Sequence, residues 1–379
     1  MSDGPDQASH SRAGRRTRRL IGSVLAMAIV VTVFAVLLPR IVDYGEVWDV
    51  VVGVPLHWLV IVFVVGVLNH ATYPFLYTVV IRGLRFRHAL AVRLASTATA
   101  NVVPGGGALG VGLTYMMLSS WGSTGPQIAT AVMLTGIWNN LIKLLLPILA
   151  AGLVVSQGKP VPGFVEAALI GLAAFAAILL LGVILIKSPF RRHVRGALRW
   201  IAALGVRIFD RTGEGDPDAI VTRFLATLRD AVSTRWGRLA VAMVATYVSQ
   251  YLVLLASLRA AGVGPESVTW TQALAGFALV RLIALVPITP GGVGLAELGV
   301  TAFLGSGLSD PVVAQVAAGV LMFRTMDYLL EIPAGVIAIA AWRLRRPPSG
   351  GRSGEAGTAH QSPAVDGPEP DRPSYDHRL

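Results

Sequence analysis

Long apolar runs with few charges constrain the fold of this chain more than any other feature. They are residues 20–39, 57–81, 127–156, 164–186, 238–258 and 312–341. A helix needs about 20 apolar residues to cross the hydrocarbon core of a bilayer. Only 14% of the residues are charged, against about 25% in soluble domains, and the mean hydropathy is +0.65. The sequence therefore predicts an all-α, polytopic integral membrane protein with about six spanning helices.

The basic residues lie beside these runs. Their clusters are residues 12–19, 82–93, 187–199 and 343–346. A formal net charge of +11 would point to a nucleic-acid partner in a soluble protein, but this placement is the positive-inside pattern of a membrane protein. We therefore expect no nucleic-acid partner, a place in the plasma membrane, and both termini in the cytoplasm. In this interpretation Arg93 belongs to a cluster that marks the return of the chain to the cytoplasm.

Two further apolar regions, 89–119 and 270–308, are each interrupted by a Pro-Gly cluster. Proline removes a backbone donor and glycine weakens a helix, so neither region is predicted to span the membrane. The orientation of the flanking runs requires each region to return to the side it left. We therefore predict two re-entrant helix hairpins, one entering from the cytoplasm and one from outside. Their bends must be buried in protein or line a wet cavity.

The two broken regions repeat each other in sequence. Pro104 aligns with Pro290 at an offset of 186 residues, and Pro147 aligns with Pro333 at the same offset. Hairpins from opposite faces make this an inverted repeat, a transporter architecture in which half-helix N-termini can hold an anionic group. The break residues predicted to bind substrate are Pro104, Gly105, Gly106, Pro290, Gly291 and Gly292. The alternative is that the breaks only permit close helix packing.

These boundaries define one transmembrane domain, residues 20–342, between ends that are predicted to be disordered. The first repeat covers about 57–156 and the second about 238–342, and the disordered ends are residues 1–19 and 343–379. A cytoplasmic amphipathic segment, 188–236, separates the repeats. Its second helix is predicted to start at Asp216-Pro217, an N-cap followed by proline in the first turn.

Ionisable residues occur inside the last apolar run. Arg324, Asp327 and Glu331 stand at i, i+3 and i+7, a spacing that places them on one face of a helix. Charges at bilayer depth are costly and mark functional sites by default. Asp327 can pair with Arg324 or with a cation on another helix.

Further polar residues surround the predicted breaks. Arg281 precedes the second break, Glu297 follows it, and the matching helix of the first repeat supplies Asn139 and Lys143. We interpret these residues as a polar interior that binds substrate. Two alternatives remain open: buried ion pairs that only orient helices, and for Glu297 a helix-dipole role. His70 is better explained as a satisfied interior residue than as a relay.

No other chemistry has a motif here. The chain has no cysteine, its histidines lack metal-ligand spacing, and the Pro-Gly-Gly-Gly stretch is not a P-loop. We expect no cofactor, no metal and no enzymatic activity. A membrane-embedded enzyme would need an acid/base pair, for which Glu297 with Asp327 is the only candidate.

The second repeat resembles the flippase-like family typified by the transmembrane region of lysylphosphatidylglycerol synthase. The residues that carry the resemblance are Pro287, Thr289, Pro290, Gly291, Gly292, Gly294, Glu297 and Arg324. The resemblance implies a membrane protein that translocates or binds an anionic or aminoacylated lipid, or a lipid-linked intermediate. The alternative is a non-transporting accessory subunit of a membrane glycosyltransferase or lipid-modifying enzyme.

The first repeat departs from the family pattern. It lacks the glutamate and arginine that commonly follow the first break, and Trp138-Asn139 stands where the next helix would carry an arginine. The charges of the first half are therefore predicted to be missing. The soluble aminoacyltransferase domain of the full synthase is also absent from this sequence, so we do not expect it to make lysyl-lipid.

Overall fold

The computed structural model describes residues 43–102, 106–157, 216–284 and 293–345, with isolated positions between 169 and 200. Every regular element in these ranges is helical. The α-helices are α1 (Tyr44–Val52), α2 (Leu56–Thr72), α3 (Pro74–Val80), α4 (Phe86–Val102), α5 (Gly106–Ser120), α6 (Gly125–Ser156), α7 (Pro217–Ala260), α8 (Trp270–Ile283), α9 (Leu295–Gly305), α10 (Asp310–Arg324) and α11 (Glu331–Leu344). A π-helical turn, Thr325–Leu329, joins α10 to α11.

Four of the predicted spans correspond to helices long and apolar enough to cross a membrane. They are Leu56–Val80, Gly125–Ser156, Ser233–Ala260 and Asp310–Leu344. The other two predicted spans, 20–39 and 164–186, lie outside the described residues apart from a few positions of the second. The predicted disordered ends lie outside as well, except for residues 343–345.

Helix α7 begins where the sequence predicted a helix. Asp216 caps it by accepting hydrogen bonds from the backbone N–H groups of Asp218 and Ala219, and Pro217 occupies the first position. The helix then continues without a break to Ala260. The second half of the segment 188–236 is therefore continuous with the span, whose apolar part is Ser233–Ala260. The 44 residues of α7 extend about 66 Å, well beyond an apolar core of about 30 Å.

Helices α4 and α5 form an antiparallel hairpin with very close backbones. A Cβ atom on Gly106 would lie 2.5 Å from the Thr99 carbonyl oxygen, and one on Gly110 would lie 2.7 Å from that of Ser96. At the open end, the His88 ring stacks on Trp121 with ring centroids 4.3 Å apart. Glycine is needed at these positions because any side chain would push the helices apart. The chain thus returns to the end from which α4 started.

Helices α8 and α9 form a second antiparallel hairpin. Gly276 on α8 packs against Leu304 near the end of α9, and Gly299 packs against Ile283 at the end of α8. Residues 103–105 and 285–292, which connect the two helices of each hairpin in sequence, lie outside the described residues. Five of the six predicted break residues therefore have no described position, and they are Pro104, Gly105, Pro290, Gly291 and Gly292.

The two hairpins open at opposite ends of the molecule. The continuous helix Asp310–Leu344 fixes the direction. Near its start, Val313 packs against Gly305 at the end of α9. Near its end, Trp342 donates a hydrogen bond from Nε1 to Ser120 Oγ at the end of α5 (2.9 Å). The closed ends of both hairpins are consequently brought toward the middle of this helix.

A single apolar core joins the two halves. Its largest fully buried side chains come from every helix between α3 and α8 and from α10, and they include Leu76, Met117, Leu254, Phe277 and Phe323. Large apolar side chains also remain exposed along α2 and α6, for example Phe63 and Leu149. Exposed apolar surface on helices of spanning length is the arrangement that a lipid environment requires.

Candidate functional site

The π-helical turn lies between the closed ends of the two hairpins. Directly before it, Arg324 Nε donates to Glu297 Oε1 on α9 (2.6 Å). Within it, the Tyr328 hydroxyl donates to the Asn101 carbonyl oxygen near the end of α4 (2.9 Å). One short segment is therefore held by both hairpins at once. π-Helical turns inside α-helices are frequent at functional sites.

Glu297 has a structural task in the second hairpin. Its Oε2 accepts a hydrogen bond from the backbone N–H of Gly294 (2.7 Å), while Oε1 accepts from Arg324. Gly294 has a φ of +87°, a conformation that a residue with a side chain rarely adopts. Glu297 is only 4% exposed. Glu297 therefore stabilises the start of α9, where the sequence proposed a helix-dipole role, and it also forms an ion pair with the long helix.

Asp327 forms its salt bridge with the second hairpin. Arg281 Nη2 on α8 donates to Asp327 Oδ2 (3.0 Å), and the guanidinium lies over the rings of Phe277 and Phe323. The sequence left open whether Asp327 pairs with Arg324 or with a cation on another helix. This hydrogen bond joins it to Arg281, on another helix. Arg281 Nε is buried and has no hydrogen-bond partner among the described residues. One donor of this guanidinium is therefore left without a described acceptor.

Glu331 pairs with the first half of the chain. Its Oε1 lies 3.3 Å from Arg93 Nη2 on α4 and 3.5 Å from His70 Nδ1 on α2. The His70 Nε2 lies 2.8 Å from the Met326 carbonyl oxygen in the π-helical turn, and Arg93 lies over the Tyr73 ring. His70 is thus a satisfied interior residue, as the sequence favoured.

The prediction that Arg324, Asp327 and Glu331 share one face is wrong. Arg324 and Asp327 turn to the second hairpin, whereas Glu331 turns to the first. A π-helical turn holds more residues than an α-helical turn, so it changes the angular register between them.

The interpretation of Arg93 as a marker of the cytoplasmic face is also wrong. It is the eighth residue of α4, about 10 Å from the helix start at 1.5 Å per residue, and its side chain is 24% exposed. The first half therefore does supply a charge to the interior.

Helix α6 contributes the remaining polar residues. The Tyr247 hydroxyl on α7 donates to the Asn139 side-chain oxygen (2.8 Å), which holds this amide in place. One turn further on, Lys143 is half-buried and under the influence of the Arg281 and Arg93 charges. Within the described ranges Lys143 has no hydrogen bond and no carboxylate within 4 Å. It is therefore a cation beside two other cations.

The charges of this interior do not cancel. Its acids are Glu297, Asp327 and Glu331, and its cations are Arg93, Lys143, Arg281 and Arg324. Each of the three acids has an arginine partner within 3.3 Å. Lys143 is the surplus cation of the described network. Among the described residues no group of His, Asp and Glu side chains could hold a metal ion.

Comparison with known families identifies the family of this chain. The family described as "Lysylphosphatidylglycerol synthase TM region" matches residues 22–335. The chain belongs to this family. The family match includes both hairpins, the π-helical turn and all seven ionisable residues of the interior network. No curated protein matches the chain.

Proposed function

We propose that this member of the lysylphosphatidylglycerol synthase transmembrane-region family binds and translocates a lipid with an anionic headgroup. Lys143 carries the proposal, because it is a half-buried ammonium that no described carboxylate neutralises. The Lys143 ammonium and the free Arg281 Nε–H would receive the phosphate. A charged group at bilayer depth without a partner is costly, and an incoming anion removes that cost.

The roles of the other ionisable residues follow from their partners. Arg324 is held by Glu297, so it positions the second hairpin and is not assigned to the phosphate. Asp327 orients Arg281, and Glu331 orients Arg93. This leaves a single net positive charge for the ligand. A phosphodiester headgroup with one negative charge matches it.

The arrangement of the hairpins supports translocation in addition to binding. The hairpins open at opposite ends and both contact the π-helical turn, which is the geometry expected of an inverted repeat. In such transporters, broken helices meet at a site near the middle of the bilayer, and access alternates between the two sides. The lipid would pass its headgroup through the polar interior while its tails remain in the bilayer.

The orientation of the hairpins has a direct test. The chain has no cysteine, so single cysteines at Ser119 and Ser309, both exposed near the open ends, can be labelled individually. A membrane-impermeant maleimide is expected to label Ser119→Cys only from the cytoplasmic side and Ser309→Cys only from outside. Labelling of both variants from one side would exclude the inverted arrangement.

The lipid site is tested by Lys143→Gln. The protein is reconstituted into liposomes that contain phosphatidylglycerol with a fluorescent acyl chain, and a membrane-impermeant reductant bleaches the label in the outer leaflet. Wild-type protein is expected to expose the inner-leaflet label. Lys143→Gln is expected to slow this exposure at least about tenfold, because loss of one charge-assisted hydrogen bond removes about 1.5–3 kcal/mol. Lys143→Arg should retain most of the rate, since it keeps the positive charge.

Two controls separate binding from folding. Arg223→Gln removes an exposed cation from the extension of α7 and should leave the rate unchanged. Size-exclusion profiles should be the same for all variants. A Lys143→Gln protein that is folded and exposes the label as fast as wild type contradicts the proposal. Wild-type protein that neither binds nor moves the lipid would instead favour the accessory-subunit alternative.

A further inference from the structure

A second concave site lies at the open end of the first hairpin, away from the interior network. A cavity of about 190 Å³ is lined there by Arg87, His88, Trp121, Trp342 and Arg345. The stacked rings of His88 and Trp121 are nearly parallel, at 8°, and the Trp342 indole is fixed by its hydrogen bond to Ser120. The walls therefore come from α4, from the turn after α5 and from α11.

The cavity is lined by positive charge. Arg87 and Arg345 are exposed at its mouth, and neither has a carboxylate partner in the described part of the chain. Burial, together with the nearby guanidiniums of Arg87, Arg85 and Arg345, lowers the pKa of His88. The imidazole is therefore neutral at neutral pH, and the arginines supply the charge.

A second cavity, of about 380 Å³, lies on the other side of the stacked pair. It shares His88 and Trp121 with the first and adds Arg82, Arg85, Ser123 and Gln127. Of its arginines, Arg82 has a salt bridge to Asp230 at 3.5 Å, whereas Arg85 has none within the described ranges. The stacked rings of His88 and Trp121 separate the two cavities. Three arginines that line the cavities have no carboxylate partner among the described residues, and they are Arg85, Arg87 and Arg345.

We infer that the two cavities bind a phosphate-bearing group at the membrane surface. Guanidinium groups recognise phosphate through paired N–H···O bonds, and the Trp121 and Trp342 rings supply an apolar wall for the adjoining carbon atoms. Basic residues that only set topology need no concavity. Here the arginines line two cavities, whose aromatic walls are held in place by the His88–Trp121 stack and by the hydrogen bond of Trp342 to Ser120. The inference does not depend on Lys143.

The test measures the binding of two probes to the full chain in neutral detergent. Glycerol phosphate represents a soluble ligand, and dihexanoyl phosphatidylglycerol represents a lipid headgroup. All proteins carry Lys143→Gln, so that the interior site does not contribute. Isothermal titration calorimetry is expected to show that Arg87→Gln with Arg345→Gln weakens binding at least about tenfold, since two charge-assisted contacts are lost.

Matched variants make the result specific. Arg229→Gln removes an exposed arginine on α7 outside both cavities and should leave the dissociation constant unchanged. Ser123→Asp brings a negative charge to the second cavity and should weaken binding without removing a cation. Weakening for both probes supports recognition of the phosphate itself. Weakening for the lipid probe alone, or for glycerol phosphate alone, supports the site and identifies the source of its ligand.

Two results would overturn the inference. One is an unchanged dissociation constant for both probes in the Arg87→Gln, Arg345→Gln protein. The other is the absence of binding of either probe to the protein with intact cavities. Neither result bears on the interior site, because that site is tested by Lys143→Gln alone in liposomes.

Discussion

Replacing Glu297 with alanine is expected to lower the free energy of unfolding by about 3–5 kcal/mol, because it leaves the Arg324 guanidinium buried without its counter-ion. The same change removes the acceptor that holds the Gly294 backbone N–H at the start of α9. Both losses loosen the attachment of the second hairpin to the long helix. The measurement is a denaturant titration in detergent micelles, followed by circular dichroism.

The control for this prediction removes both charges together. Glu297→Gln with Arg324→Met keeps a side-chain oxygen for Gly294 and removes the Arg324 cation together with its carboxylate partner. Since replacement of a whole buried ion pair is often close to neutral, this double variant should lie within about 1 kcal/mol of wild type. If Glu297→Ala costs less than about 1 kcal/mol, the ion pair does not hold the hairpin.

Gly335→Ala is expected to cost about 1–3 kcal/mol by forcing α11 away from α4. A Cβ atom at this position would lie 2.5 Å from the Leu94 carbonyl oxygen, which is part of a helix backbone and cannot turn aside. Separation of these helices also stretches the Arg93–Glu331 pair, since its two residues belong to them. The unfolding free energy in micelles measures the cost.

Gly112→Ala is the matched control for Gly335→Ala. It lies in the interior of α5, and nothing comes within 4 Å of its added Cβ atom. Alanine has the higher helix propensity, so this variant should be neutral or more stable by up to about 1 kcal/mol. Equal destabilisation by the two substitutions would mean that close contact between α11 and α4 is not required.

Local features of the sequence predicted local structure well. The apolar run 238–258 is part of α7, and Asp216-Pro217 starts that helix, because composition and capping act over a few residues. The ionisable residues predicted inside the run 312–341 are paired in the interior, and they are Arg324, Asp327 and Glu331. The sequence analysis did not predict that α7 continues through residue 236. The arginines in this part of the chain suggested a separate segment, but charged residues do not interrupt a helix.

The assignment of Arg93 shows where this reasoning fails. An arginine in a basic cluster has the same local pattern whether it lies at the membrane surface or inside the bundle. The place of Arg93 inside the bundle depends on its partner Glu331. This residue is 238 positions away in sequence and belongs to a helix that packs against α4. Likewise, no local signal revealed that Thr325–Leu329 forms a π-helical turn, which depends on contacts with both hairpins.

The sequence by itself determined which segments leave water, where the helices break, and which charges must be accommodated in an apolar interior. These follow from the transfer free energies of individual residues and from local backbone preferences. Only the tertiary structure decided which cation meets which acid. Those pairs join residues 27 to 238 positions apart, so they depend on how the hairpins pack around one helix. That packing is also what leaves Lys143 as the cation without a described partner.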